Sequence, residues 1–499
     1  MSTSALFFSL NFRFFSNENL RGGIVFFMKF TRKILCIIGI LFIIIVPSTF
    51  FACEKSEKEI VCDFPVDYRM KIDAREQKKI KIEENIETFA PISYDKVLMS
   101  FYALAYESPV VEEGMLDKTY PNGFNKGEVS FSSIKINGEE KSYSLDKENR
   151  SIKIDHKTKV GDPLNLSLTY ELTLANLKHR LGFYDGFFSL SGFYPSLTPV
   201  VNGEYSPRPF SKIGEVESLK TANFDISLTI PKGNVVAHTG EMESSEADEN
   251  SNTYHIIAEN VRDFSAFWSA KLTRRTRKTE KTTIKYYFNK DVTPADKLDL
   301  MEKALNTFGE AFGEYGHANL SVVLAPFAFA GTEYSEVAIV SDSLSESGKE
   351  EVILHEIAHQ WWYMKVGSDQ AFSPWLDETL AEFSTALFYL RNNEGRKFES
   401  FRQYGLAVLE KRILTNQPCA IKGAVYDFDE DSYSECVYTL GSLMWINFYS
   451  IKGPALIDDL RTYAEKFENK IATEKDLSEI VFQGFEAMLS GWLQGTVIV

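Results

Sequence analysis

The chain has 499 residues, 44% hydrophobic and 14% aromatic, which is enough for two or three buried cores and excludes a disordered or collagen-like protein. Its 54 Lys and Arg against 70 Asp and Glu leave a net charge of −16 with no basic stripe, so nucleic acid and anionic lipid surfaces are poor partners. Five cysteines, Cys36, Cys53, Cys62, Cys419 and Cys436, are too few and too scattered for a disulfide framework, and no C-x-x-C spacing offers a thiolate metal site.

Near the start, Lys29, Arg32 and Lys33 precede an uncharged run over residues 34–52. Its strictly apolar part, residues 34–46, has the length of a signal-peptide core and is short for a membrane span. Phe50-Phe51-Ala52-Cys53 places a small residue before a cysteine and is similar to a bacterial lipoprotein cleavage box. Export is expected, with Cys53 lipidated or the run kept as an uncleaved anchor, so that the protein sits on the outer face of the cell membrane or is secreted. Residues 28–52 are the signal or anchor in this reading, and residues 1–27 a possible over-extended start.

Residues 53–275 are predicted to form an all-β region of short strands separated by Gly, Asn, Asp and Pro turns. Lys79-Ile-Lys-Ile-Glu83, Leu166-Ser-Leu-Thr-Tyr170 and Phe224-Asp-Ile-Ser-Leu-Thr-Ile230 alternate with period two. The acidic, Ser-rich stretch 241–252 reads as a solvated hairpin tip. After a strand at residues 284–288, Thr293-Pro294 reads as an N-cap and N1 proline opening a helix that buries Leu298, Met301, Leu305, Phe308 and Phe312. A buried strand, Leu320-Ser-Val-Val-Leu324, and a β segment at residues 336–340 precede three or more helices over residues 349–490. Residues 276–499 are thus a mixed α+β region rich in helix.

The chemistry concentrates in a helix beginning near Gly348, which reads Leu354-His355-Glu356-Ile357-Ala358-His359-Gln360. Two histidines four apart lie on one helical face and reach one tetrahedral cation, with Glu356 beside them as general base for an activated water. The chain holds only seven histidines, so this spacing arises by chance about once in a hundred such sequences. The competing reading is a helix that buries two histidines by hydrogen bonding alone. A third ligand separates the two, and Trp375-Leu376-Asp377-Glu378-Thr379-Leu380-Ala381-Glu382 supplies one in Glu378, after a turn around residues 367–374. Glu382, one turn on, either orients a histidine or is a surface ion-pair partner.

His355-Glu356-x-x-His359, then eighteen residues, then Glu378 resembles the metal pattern of the aminopeptidase N family of gluzincin peptidases. Ala330-Gly331-Thr332-Glu333-Tyr334 resembles that family's exopeptidase motif Gly-x-Met-Glu-Asn, with Ala330, Thr332 and Tyr334 in place of Gly, Met and Asn. Tyr438-Thr439-Leu440-Gly441 resembles its Tyr-x-Lys-Gly segment, with Leu440 for Lys, and Asp377 stands where Asn is common. Gly192-Phe-Tyr-Pro195, Ala222-Asn-Phe-Asp-Ile-Ser227 and Val261-Arg-Asp-Phe264 are similar to stretches of the family's amino-terminal domain.

The resemblance implies an all-β sheet domain followed by a thermolysin-like α+β catalytic domain, one Zn2+ held by His355, His359 and Glu378, and peptide substrates. It gives Glu356 the role of base, Tyr438 that of oxyanion donor with nearby Tyr433 as competitor, and Glu333 that of holding the substrate's α-ammonium, where the bland alternative is a loop carboxylate. The backbone around Gly331 would add the peptide as a strand. The chain stops shortly after Trp492-Leu493, so the large helical domain that roofs many family members is not expected, and an open cleft would admit longer peptides. A zinc endopeptidase, an epoxide-type hydrolase and a non-catalytic extracellular binding module are the alternatives on the same scaffold.

Overall fold

The computed structural model describes residues 64–496. The expected signal or anchor in residues 1–52 and the lipidation site Cys53 lie outside the described residues.

The β-rich part is organised by an eight-stranded sheet running, in space, from Glu241–Ala247 through Ser251–Val261, Ala222–Pro231, Asp67–Asp73, Lys79–Phe89, Pro163–Thr173 and Glu128–Ile136 to Glu139–Glu140. Lys79–Phe89 alternates exposed and buried residues along its length, as its period-two sequence requires. Its inward Ile80, Ile82 and Ile86 share one core with Tyr170 of the neighbouring strand and with Met99, Phe101 and Ile152 from segments outside that sheet. The stretch 241–252 departs from the expected loop. Glu241–Ala247 is a fully exposed strand paired with Ser251–Val261, and only the residues between them turn. Its charge suits a sheet edge, where acidic side chains discourage pairing with another chain.

The second part is built on a five-stranded sheet in the order Leu272–Lys278, Thr283–Asn289, Asn319–Ala325, Val337–Ser341, Gly331–Tyr334. Asn319–Ala325 and Val337–Ser341 are buried along their whole length, so both are mostly apolar and show no alternation of exposed and buried positions. Gly331–Tyr334, read from the sequence only as a motif, is the edge strand and runs antiparallel to Val337–Ser341.

Helix Leu298–Phe312 buries the five apolar residues anticipated for it, but it begins four residues after Pro294. The Asp296 carboxylate accepts the Leu298 N–H at 3.0 Å, and Arg275 donates to the Pro294 carbonyl, so residues 293–297 form a lead-in outside the helix. Helices Glu346–Ala358 and Trp375–Arg391 pack against it, and with Gly441–Lys452 and Pro454–Lys466 they enclose a core holding Trp361, Trp362, Trp375 and Trp445. Cys419 and Cys436 form a disulfide across 17 residues of separation. Cysteine counting did not anticipate it, because one pair brought together by tertiary packing leaves no framework of spacings. Among the described residues no helix is long and apolar enough to cross a membrane.

Candidate metal centre and amine pocket

Ser345 opens the histidine helix, Glu346–Ala358, by accepting the Gly348 N–H. The helix delivers His355, Glu356 and His359 to a buried site and then widens into a π-helical turn, Gln360–Lys365, in which Trp362 leaves helical geometry (φ −105°, ψ 43°). Two indole N–H groups fix this irregular turn, Trp361 donating to the Gly313 carbonyl at 2.8 Å and Trp362 to Ser384 at 2.9 Å. The widening places the Trp362 carbonyl 3.3 Å from His359 Nδ1, which leaves Nε2 of that ring for the site.

The carboxylate helix, Trp375–Arg391, starts directly after Pro374 and brings Glu378 in on its first turn. Glu378 Oε2 lies 3.3 Å from His355 Nε2 and 3.5 Å from His359 Nε2, and the two imidazole nitrogens are 3.0 Å apart. Donors around a tetrahedral Zn2+ with bonds of 2.0–2.2 Å stand about 3.3–3.6 Å apart; the two carboxylate–imidazole spacings match this, and the two imidazole nitrogens stand slightly closer together. Glu378 Oε2 is buried without a hydrogen-bond partner, a costly state that a cation shared with the two rings removes. Burial alone would push the Glu378 carboxyl up, yet the two imidazoles hold it well below the usual carboxylate range. The residues therefore fit a His2Glu zinc centre. Glu382 Oε1 sits 3.2 Å from His355 Nδ1, where it can orient the ring, and its side chain is half-buried at the rim of the site.

Glu356 stands between this centre and the edge strand. Burial pushes its carboxyl up to about 7, which keeps it poised for proton transfer near neutral pH. A Cβ added at Gly331 would overlap Glu356 Oε1, so glycine in the edge strand is what gives the carboxylate its place. Two residues on, Glu333 is 6% exposed and accepts a hydrogen bond from Gln370 Nε2 at 2.9 Å. One ligand atom each of Glu333, Glu356 and His359 falls within 4.8 Å of the others, which sets Glu333 beside the metal centre rather than on an ordinary loop.

Two of the three departures from the exopeptidase motif, Thr332 and Tyr334, find partners in the β-rich part. Tyr334 OH bonds Ser191 Oγ at 2.9 Å, and Thr332 Oγ1 lies 3.4 Å from both Arg180 Nε and Glu215 Oε1, which are themselves paired. Behind Glu333 a cavity of about 80 Å³ continues between the two parts, lined among others by Arg180, Glu215, Tyr334 and Gln370.

Tyr438 belongs to a second π-helical segment, Ser434–Leu440. Its ring centroid is 5.8 Å from that of His355, and burial followed by the Glu378 carboxylate pushes its hydroxyl well up, so it stays protonated and able to donate. Tyr433 stacks edge-on at 5.5 Å from Tyr438 and also lies in the core. Gly441 closes the segment because a Cβ there would overlap Thr379 of the carboxylate helix. Asp377, in the place of the common Asn, has its carboxyl pushed up to about 7 by burial and then by Glu378, and so approaches a neutral side chain.

The structure thus gathers His355, His359, Glu378, Glu356, Glu333, Gly331 and Tyr438 in one place. Gln370, Arg180 and Glu215 were not anticipated. They lie in irregular segments without periodicity or motif, and nothing in their local sequence marks them.

The fold and the donor set define a gluzincin-type architecture: a His-Glu-x-x-His helix, a carboxylate from the following helix, and an antiparallel edge strand alongside. Residues 297–491 match the peptidase family M1 domain. The chain is 24% identical over 383 residues to aminopeptidase N of Lactobacillus helveticus, a match that takes in 71% of this chain and 44% of that protein, so the chain spans less than half the relative's length. Its fold is similar to that of an M1 zinc metallopeptidase from Deinococcus radiodurans, with a TM-score of 0.65 and 16% identity over 87% of this chain and 95% of the other. A mutant of that enzyme bound to a Tyr-Ser-Ala substrate gives a TM-score of 0.62 over the same shares, again at 16% identity.

Proposed function

We propose that the chain is a zinc-dependent aminopeptidase acting on peptides outside the cytoplasm. The observation that carries this reading is the convergence of His355, His359 and Glu378 at 3.0–3.5 Å with the buried Glu333 carboxylate alongside. A zinc ion bound by His355, His359 and Glu378 supplies Lewis acidity toward a water and the scissile carbonyl.

Glu356 takes the proton of the attacking water and returns it to the leaving amine. The Tyr438 hydroxyl donates to the oxygen on which charge develops. Glu333 pairs with the substrate's α-ammonium in a desolvated pocket, which makes the site count from the N-terminus, and the edge strand Gly331–Tyr334 aligns the peptide backbone. Export is supported by the Cys419–Cys436 disulfide, since such bonds persist in oxidising compartments, and by the apolar run after Lys33. Attachment to the membrane through the N-terminal segment or a lipid on Cys53 belongs to the same reading. The test is hydrolysis of aminoacyl-anilides with and without a chelator, run beside their N-acetylated forms. Chelator-sensitive cleavage confined to free amines is expected, and equal cleavage of the blocked forms would overturn the aminopeptidase assignment.

A further inference from the structure

Two adjacent residues of the β-rich part, Arg262 and Asp263, both almost completely buried, reach the elements around the site. The Arg262 guanidinium spends its N–H groups on backbone carbonyls: Nε on Tyr363, Nη1 on Leu219 at 2.8 Å, and Nη2 on Lys365 at 3.3 Å and on Lys470 at 2.8 Å. Tyr363 and Lys365 lie in the π-helical turn that follows His359. The end of a helical segment leaves carbonyls without intrahelical partners, and a buried cation is a strong partner for them. Burial lowers the guanidinium to about 10, so this charge is held at a cost that packing alone does not require. Asp263 Oδ2 meanwhile accepts the Ser335 N–H at 3.1 Å, just past the edge strand, and the Tyr363 hydroxyl at 2.7 Å. Adjacent residues of the β-rich part therefore hold both the strand carrying Glu333 and the turn carrying the Trp362 carbonyl that faces His359 Nδ1.

We infer that Arg262 is a positioning residue for the metal centre: by fixing the carbonyls of Tyr363 and Lys365 it fixes the Trp362 carbonyl, and through it the His359 ring. This rests on the zinc reading above. Glycine at 367 is part of the device, because a Cβ there would overlap the guanidinium and push it from its carbonyls. The same turn can thus be disturbed from two sides, by removing the arginine or by crowding it.

The test compares wild type, Arg262→Met, Arg262→Lys and Gly367→Ala, each loaded with zinc, for the rate at which a chelator strips the metal, for thermal midpoint, and for kcat and KM. Arg262→Met and Gly367→Ala are expected to lose zinc about 10- to 100-fold faster, the range in which groups that orient a ligand act. Arg262→Lys should fall between them and wild type, since an ammonium reaches fewer carbonyls. KM should stay near wild type while kcat falls. Folded variants that hold zinc as wild type does would overturn the inference, and so would losses that merely track the fall in thermal midpoint regardless of substitution. Wild-type protein that takes up no zinc would strike down the zinc reading and this inference together, a result distinguishable from unaffected variants of a zinc-loaded wild type.

Discussion

The wall carrying the proposed zinc ligands, the metal wall, and the wall proposed to hold the substrate amine, the amine wall, are assembled in different ways. The metal wall comes from one stretch of chain: His355, Glu356 and His359 on and just past one helix, Glu378 and Glu382 on the next, with a π-helical turn, a two-residue strand and a loop between them. The amine wall is composite: Glu333 lies on an edge strand, Gln370 on a loop between the site helices, and Arg180 and Glu215 come from the β-rich part. Helical spacing makes the first wall a property of local sequence, since positions four apart share a face in any sequence that forms a helix. The second wall exists only when distant segments pack together. Substitutions on the metal wall should therefore act on turnover or on the metal, and those on the amine wall on which substrates are accepted.

The largest effect is expected for Glu356→Gln, which keeps the side chain's shape and removes the base. Turnover should fall by about 10²–10⁴ while metal analysis finds zinc retained. Tyr438→Phe comes next, with kcat reduced roughly 10²–10³ and KM little changed if the hydroxyl acts only on the developing charge. Glu333→Ala tests the other wall: loss of a charge-assisted bond of about 1.5–3 kcal/mol should cost about 10- to 100-fold in kcat/KM for free peptides and narrow their advantage over N-acetylated ones. A variant that still rejects blocked peptides as strongly as wild type would show that Glu333 is not the anchor. Gly331→Ala sharpens the comparison because the added Cβ belongs to the amine wall but crowds the base on the metal wall. Overpacking of about 1–3 kcal/mol should appear as a smaller loss, in kcat rather than in the discrimination between free and blocked substrates.

This difference between the walls also explains what was legible in the sequence. The clustering of His355, Glu356 and His359 and the strands with period-two alternation could be read because each rests on a repeat set by local geometry, and Glu378 because its helix returns after a short connection. The start of the helix at Leu298 rather than at Pro294 turned on Asp296 and Arg275, whose contacts the helical pattern does not encode. The strand at Glu241–Ala247 was hidden because all of its residues are exposed and none alternates. Gln370, Glu215 and the Cys419–Cys436 pair owe their positions to packing across long separations, which a single sequence does not display. Two of the three departures from the exopeptidase motif make sense only beside their partners, Tyr334 with Ser191 and Thr332 with Arg180 and Glu215.

The most direct test of the account is the zinc content of purified wild-type protein beside that of Glu378→Ala, measured by elemental analysis after dialysis against metal-free buffer. A centre closed by two imidazoles and this carboxylate predicts about one zinc per wild-type chain and a large loss in the variant. Wild-type protein without zinc, or a variant that retains it in full, would contradict the assignment.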